Sequence, residues 1–126
     1  MAVNKTALLA QSADSVYTMV QDADSGDAVA LQTILAAPVR VFAVQIDNTN
    51  NDTENCWLKM WTSGTAVVGT DTPTAILMAD AASKLQYTFD TGFVMSKLYA
   101  AVLTTNGTAG NAAPEGAVTI RFMVED

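Results

Sequence analysis

Cys56-Trp57-Leu58-Lys59-Met60-Trp61 and Val118-Thr119-Ile120-Arg121-Phe122-Met123-Val124 decide the fold class, because both alternate with period two and both end at turns. Between them, short apolar runs keep giving way to Gly, Asn, Asp, Thr and Pro. Upstream, Val39 to Asp47 is the clearest strand. Phe42, Val44 and Ile46 fall on one face, and Val39, Val41, Ala43 and Gln45 on the other. Both faces are largely apolar, which marks a central strand. In Cys56 to Trp61, Cys56, Leu58 and Met60 oppose Trp57, Lys59 and Trp61, and neither face is purely polar.

Working outward, residues 15–20 read as a strand ended by the Asp-rich turn 22–27, and residues 28–35 as a strand that Pro38 closes early. The polar loop 48–54 turns the chain back. Weaker strands follow at 66–68 and 74–78. Leu85, Tyr87 and Phe89 then alternate with Gln86 and Thr88 up to the turn Asp90-Thr91-Gly92. Strands at 97–105 and 117–124 close the chain, separated by loops rich in Gly, Asn and Ala. Roughly eight strands at a spacing of about 8–12 residues predict an all-β fold. The expected architecture is a single antiparallel β-sandwich, jelly-roll-like, with a simpler immunoglobulin-like strand order as the alternative. Residues 1–14 are read as an N-terminal arm, either a short helix or extended and able to reach a neighbouring subunit, and 15–126 as the sandwich domain.

Composition narrows the function. The chain has 126 residues, half of them apolar and 15% charged, with a net charge of −7. A chain of this length buries roughly two-thirds of its unfolded surface, enough for a core without staples. The acidic balance opposes binding to nucleic acid and to anionic lipid. No run approaches the ~18 apolar residues of a membrane span, and the first ten residues lack the apolar core of a secretory signal. The expectation is a soluble protein made in a host cytoplasm.

There is no His and a single Cys. A Ser-His-Asp or Cys-His arrangement therefore cannot be assembled, and Cys56 reads as a small buried hydrophobe. Asp22, Asp24 and Asp27 resemble calcium ligands, but a calcium loop counted from Asp22 needs Gly sixth and Glu twelfth, where Asp27 and Thr33 stand. Asp47, Asp52 and Glu54 form a second acidic loop, also read as turn chemistry. Paired carboxylates for glycoside cleavage are not placed mid-strand. Asn4, Asn51 and Asn106 begin Asn-x-Thr triplets and are read as turn residues. No enzyme activity, cofactor or metal is expected. Trp57 and Trp61, four residues apart on one face, are the candidate anchors of an interface, with a place for at least one of them in the core as the competing reading; Val39 and Val41, facing outward from a two-sided strand, join them as candidates.

Trp57-Leu58-Lys59-Met60-Trp61, Val68-Gly69-Thr70-Asp71-Thr72-Pro73 and Ile76-Leu77-Met78 lead to Thr91-Gly92-Phe93, Ser96-Lys97-Leu98 and Val118-Thr119-Ile120. This series resembles small β-sandwich virion proteins of tailed bacteriophages and related prophages, over about residues 56–124. The resemblance implies a capsid decoration (cement) protein. It would sit on the virion head surface as a homo-oligomer, dimer or trimer, with the major capsid protein as partner. A host-recognition or carbohydrate-binding module of a tail or fibre is the alternative, and it requires an exposed aromatic platform.

Overall fold

A computed structural model describes residues 2–7, 15–21 and 29–125. Among them are nine strands: β1 (Ala2–Ala7), β2 (Ser15–Gln21), β3 (Gln32–Leu35), β4 (Val39–Asp47), β5 (Cys56–Trp61), β6 (Ala75–Ala79), β7 (Lys84–Met95), β8 (Leu98–Leu103) and β9 (Val118–Glu125). One sheet has the order β1-β2-β9-β4-β7 and the other β3-β8-β5-β6. Every pairing is antiparallel. Counted from β2 as the first of eight, the sheets read 1-8-3-6 and 2-7-4-5, the strand order of a jelly roll. The expected all-β sandwich is the observed fold, and the strand order decides against the immunoglobulin-like alternative.

The segment expected as an arm supplies β1, which lies extended on the edge of β2 from Ala2↔Val20 to Ala7↔Ser15. Val3 packs against the main core. The rest of that arm, 8–14, and the acidic turn 22–27 lie outside the described residues. Two expected strands are cut back: only Gln32–Leu35 of the third is strand, and 66–68 lies in turns.

The core follows from alternation. In β9, Val118, Ile120, Phe122 and Val124 are buried between the sheets, while Thr119, Arg121 and Met123 are only partly covered. The other sheet answers with Cys56, Leu58 and Met60 of β5 and Leu98, Ala100 and Val102 of β8. The first of these is the lone cysteine. Burial raises its thiol pKa to about 12, so it packs as a hydrophobe.

β4 departs from the alternation read in the sequence. Val41 pairs with Val124 and Ala43 with Met123, so β4 spends one more residue than β9 over the same step. This bulge at Phe42 reverses the phase. Val39 and Val41 therefore point into the same core as Val44 and Ile46, all four nearly or fully buried. They do not face outward as expected, and they are removed from the candidate interface.

A side chain ties the two sheets together at β2 and β8. β3 pairs with β8 only as far as Ala100, leaving Val102 beyond its end. The buried amide of Gln21, the last residue of β2, fills the gap: its Nε2 donates to Val102 O, and Val102 N–H donates to Gln21 Oε1 at 2.7 Å. Gln21 thus supplies the donor and acceptor that a longer β3 would have provided. Replacing it with Leu leaves two buried backbone groups unpaired, each worth about 1–3 kcal/mol. Gln21→Leu is expected to lower unfolding free energy by about 2–6 kcal/mol in urea titration, with an unchanged m-value.

Candidate interaction surface

The outer face of β5 and β8 is itself covered. Trp61, Tyr99, Ala101 and Leu103 form a second apolar cluster with Val29 and Ala113, and Leu31, Ala66 and Val68 pack on it. The turns after β5 close over this face. Trp61 is 3% exposed, and its indole N–H donates to Asp71 O at 3.0 Å. Gly64 lies so near the Tyr99 ring that an added Cβ would stand 2.8 Å from its hydroxyl oxygen. Trp61, a candidate interface anchor, is therefore part of a core, and truncating it would cost about 3–5 kcal/mol of stability rather than isolate a contact. Trp57, on the same face, is half-buried.

Lys59 lies between the two tryptophans, fully buried, with Nζ donating to Ala109 O at 3.2 Å. Desolvation lowers its pKa.

At the loop end the acidic segment does structural work. Asn48 Nδ2 donates to Glu54 O and Asp80 O, and Asn51 Nδ2 donates to Asn48 Oδ1 and Gly116 O. Gly116 N–H donates back to Asn51 Oδ1. The Asn51 side chain is thus buried and used at both ends. Asp47 accepts from the Thr49 hydroxyl at 2.6 Å and from its N–H, and the hydroxyl bond leads the lowering of its pKa. A polar cleft of about 440 Å³ opens beside Asp52, Glu54 and Glu115, and one of about 170 Å³ beside Trp61 and Asp71. Among the described residues no group of three or more His, Cys, Asp or Glu side chains is placed to hold a metal ion.

Among the described residues, much of the remaining apolar surface lies on the β6 and β7 edge. β6 ends one sheet and β7 the other. The two edges are joined by the Tyr87 hydroxyl, which donates to Met78 O. Leu85 and Val94 are 36% and 60% exposed, and Val67 on the loop after β5 is 55% exposed. Ile76, Leu77, Met78, Tyr87, Phe89 and Phe93 are partly covered, and Leu77, Tyr87, Phe89 and Phe93 pack against the main core. Phe89 and Phe93 meet edge to face, with centroids 4.8 Å apart and planes at 88°. They can meet because residues 89–92 form a bulge: Ala43 pairs with Thr88, while Val41 pairs with Phe93. The expected turn Asp90-Thr91-Gly92 is this bulge, held inside one long strand. Arg40 Nη1 donates to Thr91 O at 2.9 Å across it, and Gly92 takes φ 70° with its α-carbon hard against Arg40. The period-two run 85–89 was visible in the sequence; that it lies at a sheet edge was not.

Comparison with protein families, curated proteins and solved structures gives no match.

The buried Lys59 has a pH signature. Its folded pKa is below its unfolded value of about 10.4, so the unfolded chain binds the extra proton. The penalty is full below the folded pKa and fades as pH rises towards the unfolded one. Cys56 acts oppositely, stabilising below about pH 9 and losing that contribution towards pH 12. Comparing Lys59→Met with the parent cancels the Cys56 effect. The variant is expected to be at least as stable at pH 7, with an advantage that shrinks by pH 10, as read by urea unfolding at both.

Proposed function

We propose that this chain is a structural virion protein, a decoration (cement) protein that self-associates and binds the head surface to stabilise the shell. The observation that carries the reading is the β6 and β7 edge, where partly exposed aliphatic and aromatic side chains sit on strands that, among the described residues, have a strand neighbour on one side only. Such an edge suits contact with another protein surface. Fold alone does not decide function. The likeness of residues 56–124 to phage virion sandwiches supports the same reading.

The mechanism is mechanical. Each copy bridges neighbouring capsid subunits and adds buried area that opposes internal pressure, and repetition across the lattice lets modest contacts hold firmly. The major capsid protein is the proposed partner, and the virion head surface the proposed location. The carbohydrate-binding alternative needs an exposed aromatic platform. With Trp61 buried and Trp57 half-buried, no observation favours it over the first reading.

The test is co-sedimentation with empty heads assembled from the major capsid protein encoded in the same genome. The expected result is saturation at a fixed ratio of chain to capsid subunit and a raised temperature of head disruption. Absence of the chain from the head fraction at micromolar concentration would overturn the proposal.

A further inference from the structure

We infer that Asn106-Gly107 is a self-modifying site, at which the folded chain converts Asn106 into aspartyl and isoaspartyl residues without an enzyme. Asparagine is a thermolabile side chain, and its conversion has clear structural needs. A following backbone nitrogen must reach the carbonyl carbon of the amide, in a place open to water. The loop between β8 and β9 meets these needs.

Of the seven asparagines in the chain, Asn106 alone precedes a glycine. Asn106 and Gly107 are both exposed and lie outside the strands. Gly107 takes φ 76°, and a Cβ built on it would meet nothing within 4 Å. No side chain of its own screens the nitrogen, and glycine turns readily through the conformations that a five-membered ring imposes. Gly107 N–H donates to Asn106 Oδ1 at 2.8 Å. That bond turns the carbonyl end of the amide, not its amine end, towards the nitrogen that attacks it.

Water or hydroxide takes the Gly107 N–H proton, and the nitrogen lone pair attacks Asn106 Cγ. The new N–Cγ bond closes a succinimide as the Cγ–Nδ2 bond breaks, and Nδ2 leaves as ammonia with a proton from water. Water then opens the ring. Breaking the N–Cγ bond gives Asp. Breaking the bond from Gly107 N to the main-chain carbonyl carbon gives isoaspartate, whose chain runs through Cβ and Cγ.

Other asparagines are held back. Asn48 and Asn51 are buried, with their amides bonded across loops. Asn50 donates to Ala117 O, and Asn55 accepts from Ala81 N–H. Asn111 is exposed like Asn106 but precedes Ala112, whose Cβ crowds the nitrogen, so it serves as the internal control. The modified loop also carries Ala109, whose carbonyl accepts the Lys59 ammonium. Conversion therefore sets a new carboxylate in the loop that covers a buried cation, and isoaspartate lengthens that loop by one main-chain carbon.

The test incubates the full folded chain in mildly alkaline buffer. Peptide mass spectrometry that separates isoaspartate from Asp then follows residues 104–112, and thermal unfolding confirms that each sample is folded. Both products are expected at Asn106, with isoaspartate the larger share, while Asn111 stays an amide. Gly107→Ala should lose most of the conversion. Asn106→Gln, which must close a larger ring, should keep its amide. Three results overturn the site: Asn106 unchanged in the folded chain over an interval in which the guanidinium-unfolded chain converts, Asp formed with no isoaspartate, or Asn111 converting as fast as Asn106.

Discussion

Each sheet of a β-sandwich ends in strands whose outer backbone groups have no partner in that sheet, and this chain's architecture is organised around those edges. β3 is four residues long, and the gap beyond it on β8 is filled by the Gln21 amide. β1 lies outside β2 and extends that sheet by one strand. β6 is short and receives the Tyr87 hydroxyl at Met78 O. β7 alone is long, at twelve residues, and flanked on one side only. Its aromatic side chains are half-buried against the main core, and Arg40 braces its bulge.

Closure is most complete around β8. β8 is buried along its whole length because both of its faces are covered, one by the opposite sheet and one by the turns packed on Trp61 and Tyr99. Lys59 is caught in that second layer, and its single carbonyl contact holds the loop at Ala109 over the sheet. At the loop end, Asn48 and Asn51 spend their amides on backbone carbonyls from three loops. The acidic residues around them are tied into turns and into the Glu54 contact with Glu115 N–H.

Strand positions were legible because period-two alternation and turn residues act locally: Val39–Asp47 and Cys56–Trp61 have the expected bounds. Face assignment failed where one inserted residue reversed the phase. Val39 and Val41 looked outward only because Phe42 was counted as a regular strand residue. Which of Trp57 and Trp61 is core could not be read, because cover by loops at 62–74 and around 113 is non-local and has no period. For the same reason Asp90-Thr91-Gly92 read as a strand-ending turn, though Arg40 from the neighbouring strand keeps the chain in the sheet. Edge position is a property of topology, so residues 84–94 carried their pattern openly and their role invisibly.

The central claim is that the outer side of β7 is a contact surface, and amide hydrogen exchange tests it most directly. With dilute protein, the amides of residues 85–89 that point away from β4 should exchange quickly while those of β9 stay protected. On concentration, or on adding heads, the β7 amides should slow selectively and β9 should not change. Exchange in β7 that stays fast and independent of both would contradict the account.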